Sequence, residues 1–237
     1  MEERRRRFSV VLAVAIVIAA GSLLSSFHHP ANNNSTAPPP TSSSANAQGP
    51  AVDKLATLPI KGRAPKTGYS RDQFSAGWAD VGGCDTRNYI LGRDMTDVIT
   101  KSTTDCTVES GTLNDPYTGK TIHFTRGAST SAAVQIDHVV AVSDAWQKGA
   151  QAIDVSKRAE FYNDPLNLLA VDGPTNDKKG DGDAATWLPP NKAFRCKYVA
   201  RQIAVKAKYS LWITQAEHDA MKNTLAACPG QALPSEN

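Results

Sequence analysis

The alternation of polar and apolar residues between positions 106 and 142 predicts a small antiparallel sheet. Two stretches rich in Thr, Val, Ile and Phe flank a turn signal at residues 114–116, so residues 106–127 have the pattern of a β-hairpin. In residues 134–142 the apolar positions alternate with Gln135 and Asp137, which predicts a third strand.

Helix signals dominate the rest of the chain. Ser143 and Ser156 stand where they can cap short helices, and two prolines precede a longer helical pattern over residues 191–209. Residues 214–217 (TQAE) form a capping box, which predicts the start of a last helix. The sequence therefore predicts an α+β fold in which a small antiparallel sheet is surrounded by helices.

An uncharged apolar run at residues 8–24 follows four arginines at residues 4–7, which is the pattern of an export signal. Its length lies between that of a cleaved signal and the roughly 20 residues that span a bilayer. We therefore predict that residues 1–25 are a signal peptide or a signal-anchor. The protein is expected to be extracellular, either secreted or anchored to the outer face of the cell membrane by a retained transmembrane segment.

Residues 26–65 are rich in Ser, Pro and Asn and are predicted to form a disordered stalk, because this composition buries too little apolar surface to offset the entropy of ordering. The folded domain is predicted over residues 66–230, and residues 231–237 are expected to be a disordered tail.

Four cysteines in the predicted domain indicate disulfides, because an exported protein is oxidised and none of them forms a C-x-x-C pair of the kind that holds zinc. Four cysteines allow three connectivities. We favour Cys84 with Cys106 and Cys196 with Cys228, since each pair brackets one local unit.

The charge balance argues against binding of nucleic acid by bulk positive charge. The formal net charge is +3, and without the charged residues at positions 2–7 the chain has 22 basic and 21 acidic residues. Nonspecific phosphate binding scales with the number of Lys and Arg charges set against the backbone. Any nucleic-acid site must therefore be a local patch.

A polar set embedded in apolar or turn contexts is the strongest chemical signal. The chain has no G-x-S-x-G, P-loop or H-E-x-x-H motif, and its five histidines form no cluster in the sequence. What stands out is Asp137-His138 inside VQIDHVVAV, Asn167 inside FYNDPLNLLAV, and Asn176 inside GPTNDKKGD.

These pieces resemble the HNH endonucleases, whose ββα-metal finger has D-H-[IV]-V, then N-L, then N-x-x-K. More narrowly, the chain looks like the secreted actinobacterial HNH proteins related to the nuclease domain of the GmrSD restriction enzymes. The stretches CDTRN (84–88), DPYTG (115–119), NDPLNLLAVDG (163–173) and WLPP (187–190) carry that likeness. The resemblance implies a phosphodiester hydrolase that cuts nucleic acid, DNA in preference to RNA, leaving 5′-phosphate and 3′-hydroxyl ends.

The resemblance also implies the roles of four side chains. His138 would be the general base, since a neutral imidazole can take a proton from water. Asp137 and Asn176 would be metal ligands, and Asn167 would hold the loop or the imidazole by hydrogen bonding. Asn176 stands where many family members have a second histidine, and an amide oxygen favours Mg²⁺ over Zn²⁺, with Mn²⁺ as an alternative.

Basic residues near these motifs and on the long helix are predicted to bind phosphate. They are Lys178, Lys179, Arg195, Arg201 and Arg87. Nucleic acid is the expected partner, no small-molecule cofactor is expected, and a membrane would be contacted only through an uncleaved N-terminal segment.

Two other functions compete with the nuclease. The first is a surface-displayed, non-catalytic binding module on a degenerate nuclease scaffold, which the stalk and the near-neutral charge favour. The second, hydrolysis of wall glycans by paired carboxylates, is weaker, because Glu109, Glu160 and Glu217 lie outside any site-like context. Binding of Mg²⁺ or Mn²⁺ that is lost in Asp137→Ala would favour the nuclease over the binding module.

Overall fold

The protein is an α+β structure, as predicted. The computed structural model describes residues 50–235, which contain seven α-helices and seven β-strands, together with short 3₁₀ turns. The helices are α1 (Ala51–Leu55), α2 (Thr86–Asp94), α3 (Val142–Gln147), α4 (Val155–Asn163), α5 (Gly173–Lys179), α6 (Arg195–Lys208) and α7 (Gln215–Leu225). The strands are β1 (Asp80–Val81), β2 (Cys84–Asp85), β3 (Met95–Ser102), β4 (Asp105–Asn114), β5 (Thr121–Thr125), β6 (Val134–His138) and β7 (Leu168–Asp172).

The strands form three small antiparallel sheets. β4 and β5 are the predicted hairpin, and β3 adds to the other edge of β4. The predicted third strand is β6, but it pairs with β7 in a separate sheet, with Val134 opposite Asp172 and His138 opposite Leu168. The residue pattern alone did not predict β7, because its first four residues are continuously apolar and buried and show no alternation; only the resemblance implied a strand near Asn167-Leu168.

The two-stranded β6–β7 sheet lies between apolar clusters that fix its position. Leu169 and Val171 of β7 pack in a cluster with α6, whereas Leu168 and Ala170 pack with α2 and β4. The predicted long helix is confirmed as α6, which begins at Arg195 after a 3₁₀ turn at Lys192–Phe194. Because successive residues of a strand point to opposite faces, β7 is held on both sides.

The predicted helix caps are partly wrong. Thr214 caps α7, as predicted, by accepting a hydrogen bond from the Glu217 amide at 3.2 Å. Asp154 rather than Ser156 caps α4, since its carboxylate accepts from the Lys157 amide at 3.0 Å. Ser143 lies within α3 instead of before it.

Both ends of the described chain, which include parts of the predicted stalk and of the predicted tail, contact the rest of the described residues. Ala51 and Leu55 of α1 are buried in the cluster formed with α6 and α7. The Ala51 amide donates to the Gln231 carbonyl at 2.7 Å, and Pro50 pairs with Ala232. The predicted segment 1–25, the rest of the predicted stalk at 26–49 and residues 236–237 lie outside the described residues.

The structure contains both predicted disulfides. Cys84–Cys106 joins β2 to β4, and Cys196–Cys228 joins α6 to the segment after α7. The prediction of a transmembrane protein is corrected for the described part of the chain, where no helix has the length and apolar character needed to cross a bilayer. The apolar run at residues 8–24, on which that prediction rested, lies outside residues 50–235.

Candidate active site

Three of the predicted site residues line one polar cleft. Its volume is about 430 Å³, and it is bounded by the end of β6, the start of α3, helix α5 and the segment around Arg71. Its walls include Asp137, His138 and Asn176. Three of the four residues singled out for chemistry therefore line the same space.

Asn167 lies behind the cleft and fixes the backbone where β6 ends. Its side-chain oxygen accepts from the Val140 amide at 2.9 Å, and its carbonyl oxygen accepts from the Val139 amide at 2.8 Å. The side chain is fully buried. Asn167 thus holds the chain immediately after His138, which is the loop-holding role that the sequence suggested for it.

His138 is held in one orientation by its surroundings. Its Nε2 lies 2.8 Å from the carbonyl oxygen of Tyr162, and its ring stacks on Trp78 with the two planes only 10° apart. A carbonyl oxygen can only accept, so Nε2 carries the ring hydrogen and Nδ1 is left as the acceptor. The pKa of His138 is lowered to about 3, first by burial and then by the positive charge of Arg71. The ring is therefore neutral near pH 7.

Asp137 is almost completely buried and is held by two partners. Lys179 donates to its Oδ1 at 2.8 Å, and the Tyr117 hydroxyl donates to its Oδ2. Burial raises the pKa of the Asp137 carboxyl, and the ammonium of Lys179 opposes that rise. Each carboxylate oxygen keeps a second lone pair, because a carboxylate has about four acceptor positions.

Lys179 was predicted to bind phosphate, but its ammonium lies beneath the cleft. The side chain is fully buried and donates to Asp137 and, at 2.9 Å, to the backbone carbonyl of His138. It is not among the residues that line the cleft. In this position Lys179 supports the backbone and the carboxylate of β6.

Helix α5 brings Asn176 to the cleft. The helix starts at Gly173, where a β-carbon would overlap the carbonyl oxygen of Ala132, so only glycine allows this close approach. Asn176 donates through Nδ2 to the side-chain oxygen of Gln135 at 2.8 Å. Because Nδ2 of Asn176 is used in this way, its side-chain oxygen is the atom left to accept a hydrogen bond or to bind a cation.

The oxygen donors of Asp137 and Asn176 suit a hard divalent cation. No group of three or more His, Cys, Asp or Glu side chains within residues 50–235 is arranged to hold a metal ion. A carboxylate and an amide oxygen match the preference of Mg²⁺, which usually keeps several of its waters. The donor set therefore fits an ion that the protein holds by few ligands, and does not resemble a closed structural site.

Arg71 lines the cleft and was not singled out by sequence analysis. It is exposed, its Nε donates to the Tyr162 hydroxyl at 3.0 Å, and its guanidinium lies over the Tyr162 ring at 5.1 Å from the centroid. The residue lies 67 positions before His138, in a 3₁₀ turn (Arg71–Gln73), and no motif marks it. Only the tertiary structure connects it with the site.

The other predicted phosphate-binding residues have different surroundings. Lys178 is exposed on α5, next to Asn176 and Asp177 in the helix that forms one wall of the cleft. The guanidinium groups of the three arginines donate to backbone carbonyls at distances of 2.8 to 3.1 Å. These bonds are Arg195 to Pro189, Arg201 to Leu166 and Arg87 to Val134. The structure does not place these three arginines among the residues that line the cleft.

Comparison with known proteins agrees with part of the predicted resemblance. Residues 85–224 match the family model described as GmrSD restriction endonucleases, C-terminal domain. A protein of Arthroderma benhamiae, described as an uncharacterized secreted protein, is 37% identical over 177 residues, which cover 73% of this chain and 82% of that protein. That relative is fungal, and the predicted likeness to actinobacterial secreted proteins stays a prediction. No solved structure gives a significant match.

Proposed function

Since this chain belongs to the family of GmrSD restriction endonuclease C-terminal domains, we propose that it is a nuclease that hydrolyses phosphodiester bonds of nucleic acid. The observation that carries the proposal is the meeting of Asp137, His138 and Asn176 at one polar cleft. In this proposal β6, β7 and α5 form the ββα unit of an HNH site. The family relation alone supports a nuclease, and the cleft supplies residues that can perform the reaction.

His138 is the general base in this proposal. Its Nε2–H is held by the Tyr162 carbonyl, so a water in the cleft would meet the unprotonated Nδ1. The low pKa keeps Nδ1 free of a proton in the resting protein. A bound phosphodiester would bring negative charge beside the ring, and that charge would raise the proton affinity of His138 when the substrate is present.

Asp137 and Asn176 would hold a divalent cation, with Mg²⁺ the best match to their oxygen atoms. When bound, such an ion supplies positive charge for the phosphate and the departing oxygen. Lys179 and Tyr117 keep the Asp137 carboxylate in a fixed orientation. Asn167 fixes the β6 backbone beside them.

The location and the substrate are part of the proposal. The two disulfides and the secreted relative support an extracellular protein. We favour DNA as the substrate, because the family description names restriction endonucleases, which act on DNA. The near-neutral charge of the chain outside residues 2–7 agrees with recognition through one local cleft.

A plasmid assay tests the proposed function. Oxidised protein is incubated with supercoiled plasmid and Mg²⁺ or Mn²⁺, with and without chelator, and nicked and linear products are measured. His138→Ala should lower the rate at least about 100-fold, because general-base catalysis contributes roughly 10²–10⁴. His123→Ala is the matched control, since His123 is an exposed histidine on β5 and does not line the cleft.

Metal binding by the same purified protein distinguishes a nuclease from a non-catalytic binding module. Calorimetric titration with Mn²⁺ should show binding that weakens at least about tenfold in Asp137→Asn. Failure of the wild-type protein to cut plasmid or single-stranded RNA with any divalent metal would refute the nuclease. Equal cutting by His138→Ala and wild type would refute the assigned base.

A further inference from the structure

Arg71 supplies the cleft with its positive charge. Among the described residues that line the cleft, it is the one cationic side chain, whereas Asp137, Asp177 and Asp181 are acidic. Asp137 and Asp181 are each paired with a lysine that does not line the cleft, at 2.8 Å to Lys179 and 3.4 Å to Lys66. An entering phosphodiester therefore still needs a positive charge at the lining itself. Arg71 is the side chain in a position to provide it.

The guanidinium of Arg71 is anchored through only part of its donor set. Nε donates to the Tyr162 hydroxyl, and the planar group lies over the Tyr162 ring. Within residues 50–235, Nη1 and Nη2 of Arg71 make no hydrogen bond. This differs from Arg87 and Arg201, which use their terminal nitrogens on backbone carbonyls. An anchored guanidinium with two unused nitrogens suits a pair of phosphate oxygens.

Tyr162 links this arginine to the general base. Its hydroxyl accepts from Arg71, while its backbone carbonyl accepts from His138 Nε2. The Tyr162 side chain is buried, and its ring centroid lies 4.5 Å from that of His138. One residue of α4 therefore sets the positions of two groups that act on the same substrate.

We propose that Arg71 binds the substrate phosphate in the cleft and that Tyr162 is the positioning residue that holds Arg71 relative to His138. This inference rests on the proposed nuclease function and assigns a residue outside the stretch 85–224 that matches the family model. The ligand class is a phosphodiester of a nucleic acid backbone, recognised by its charge and by its pair of non-bridging oxygens.

Salt-dependent binding tests Arg71 without turnover. Binding of a fluorescently labelled DNA duplex in the presence of chelator is measured by anisotropy at several salt concentrations. Arg71→Ala should weaken binding about tenfold. It should also make the fall of log K with log salt less steep by about 0.9, the value for one phosphate contact on duplex DNA. Lys222→Ala, an exposed lysine on α7, removes the same charge away from the cleft and should leave the slope unchanged.

Two conservative variants separate charge from position. Arg71→Lys keeps the charge, so the slope should be retained, but it loses the planar pair of donors, so KM in the plasmid assay should rise. Tyr162→Phe removes only the hydroxyl and keeps the carbonyl that holds His138. It should raise KM about threefold while kcat changes less than about twofold. When Tyr162→Phe is combined with Arg71→Ala, the KM of the double variant should be close to that of Arg71→Ala alone.

The outcomes distinguish this inference from the function on which it rests. If wild type cuts DNA but Arg71→Ala matches Lys222→Ala in KM and in salt slope, the role of Arg71 is refuted and the nuclease stands. If Tyr162→Phe lowers kcat with no change in KM, the positioning role is refuted. If wild type neither binds nor cuts nucleic acid, both the inference and the proposed function are overturned.

Discussion

Glu217 is a fully buried carboxylate whose replacement should be strongly destabilising. It accepts from Lys148 Nζ at 2.5 Å and pairs with Lys206 Nζ at 2.9 Å, and neither lysine is exposed to solvent. These groups belong to a buried ion cluster of three cations and three anions, in which Arg63 is the exposed member. Its members are Arg63, Lys148, Lys206, Asp144, Asp183 and Glu217.

Glu217→Gln keeps the size of the side chain and removes one negative charge. The two buried lysines then lose a shared carboxylate partner, and breaking a buried pair in this way costs about 3–5 kcal/mol. For a domain of this size, we expect a drop in Tm on the order of 10 °C. The matched control is Glu160→Gln, which breaks the half-exposed pair with Lys157 and should cost about 0.5 kcal/mol or less.

Urea denaturation of the oxidised protein, followed by circular dichroism, measures both variants. The expected result is a lower midpoint for Glu217→Gln at an unchanged slope, which indicates a loss of stability with the same two states. A change of less than about 1 kcal/mol in Glu217→Gln, similar to that in Glu160→Gln, would refute the reasoning. It would mean that the cluster is hydrated or rearranges to offset the missing charge.

Three further predictions concern stability. Burial alone would raise the pKa of Asp183, but the cations of the buried ion cluster lower it to about 2 from 3.8. The stability that the ionised carboxylate contributes is present above pH 3.8 and should fall by about 2 kcal/mol as the pH drops to 2. Asp183→Asn should flatten this dependence of stability on pH. Gly173→Ala should cost about 1–3 kcal/mol and disturb α5, whereas Gly62→Ala, with open space around it, should be nearly neutral in the same melts. Replacing Cys84 and Cys106 together by Ser should lower the free energy of unfolding by about 2–4 kcal/mol, and an unchanged midpoint would contradict a stabilising role for that disulfide.

The parts of the fold that the sequence predicted correctly depend on local signals. The turn residues at 114–116 join β4 to β5, and the two prolines before position 191 precede the segment that becomes α6. The meeting of Asp137, His138 and Asn176 was predicted from the resemblance of ordered motifs, and these three residues do line one cleft. In these cases the turn residues, the prolines and the order of the motifs along the sequence were sufficient for the prediction.

The parts that were missed depend on packing between distant segments. β6 pairs with β7, which begins 30 residues after the end of β6, and nothing local in the sequence specifies that partner. Glu217 fits the pattern of a capping box, yet its carboxylate pairs with buried lysines instead of the helix start. Lys206 is a basic residue of the long helix, yet its ammonium is buried and paired with Asp144 and Glu217. Burial lowers the pKa of Lys206, but these two carboxylates outweigh that effect and raise it. Charge counts along a helix do not reveal which charges have buried partners.

The candidate site extends beyond the stretch that matches the family model. Arg71 and Trp78 precede residue 85, where the family match begins, but both contact Tyr162 or His138 within it. Trp78 covers one face of the imidazole, and Arg71 gives the cleft its positive side chain. A cleft built from residues 85–224 alone would retain Asp137, His138 and Asn176 but would lack both groups. The segment before residue 85 is therefore part of the cleft, and under the proposed function it would shield the base and supply the charge that a phosphate requires.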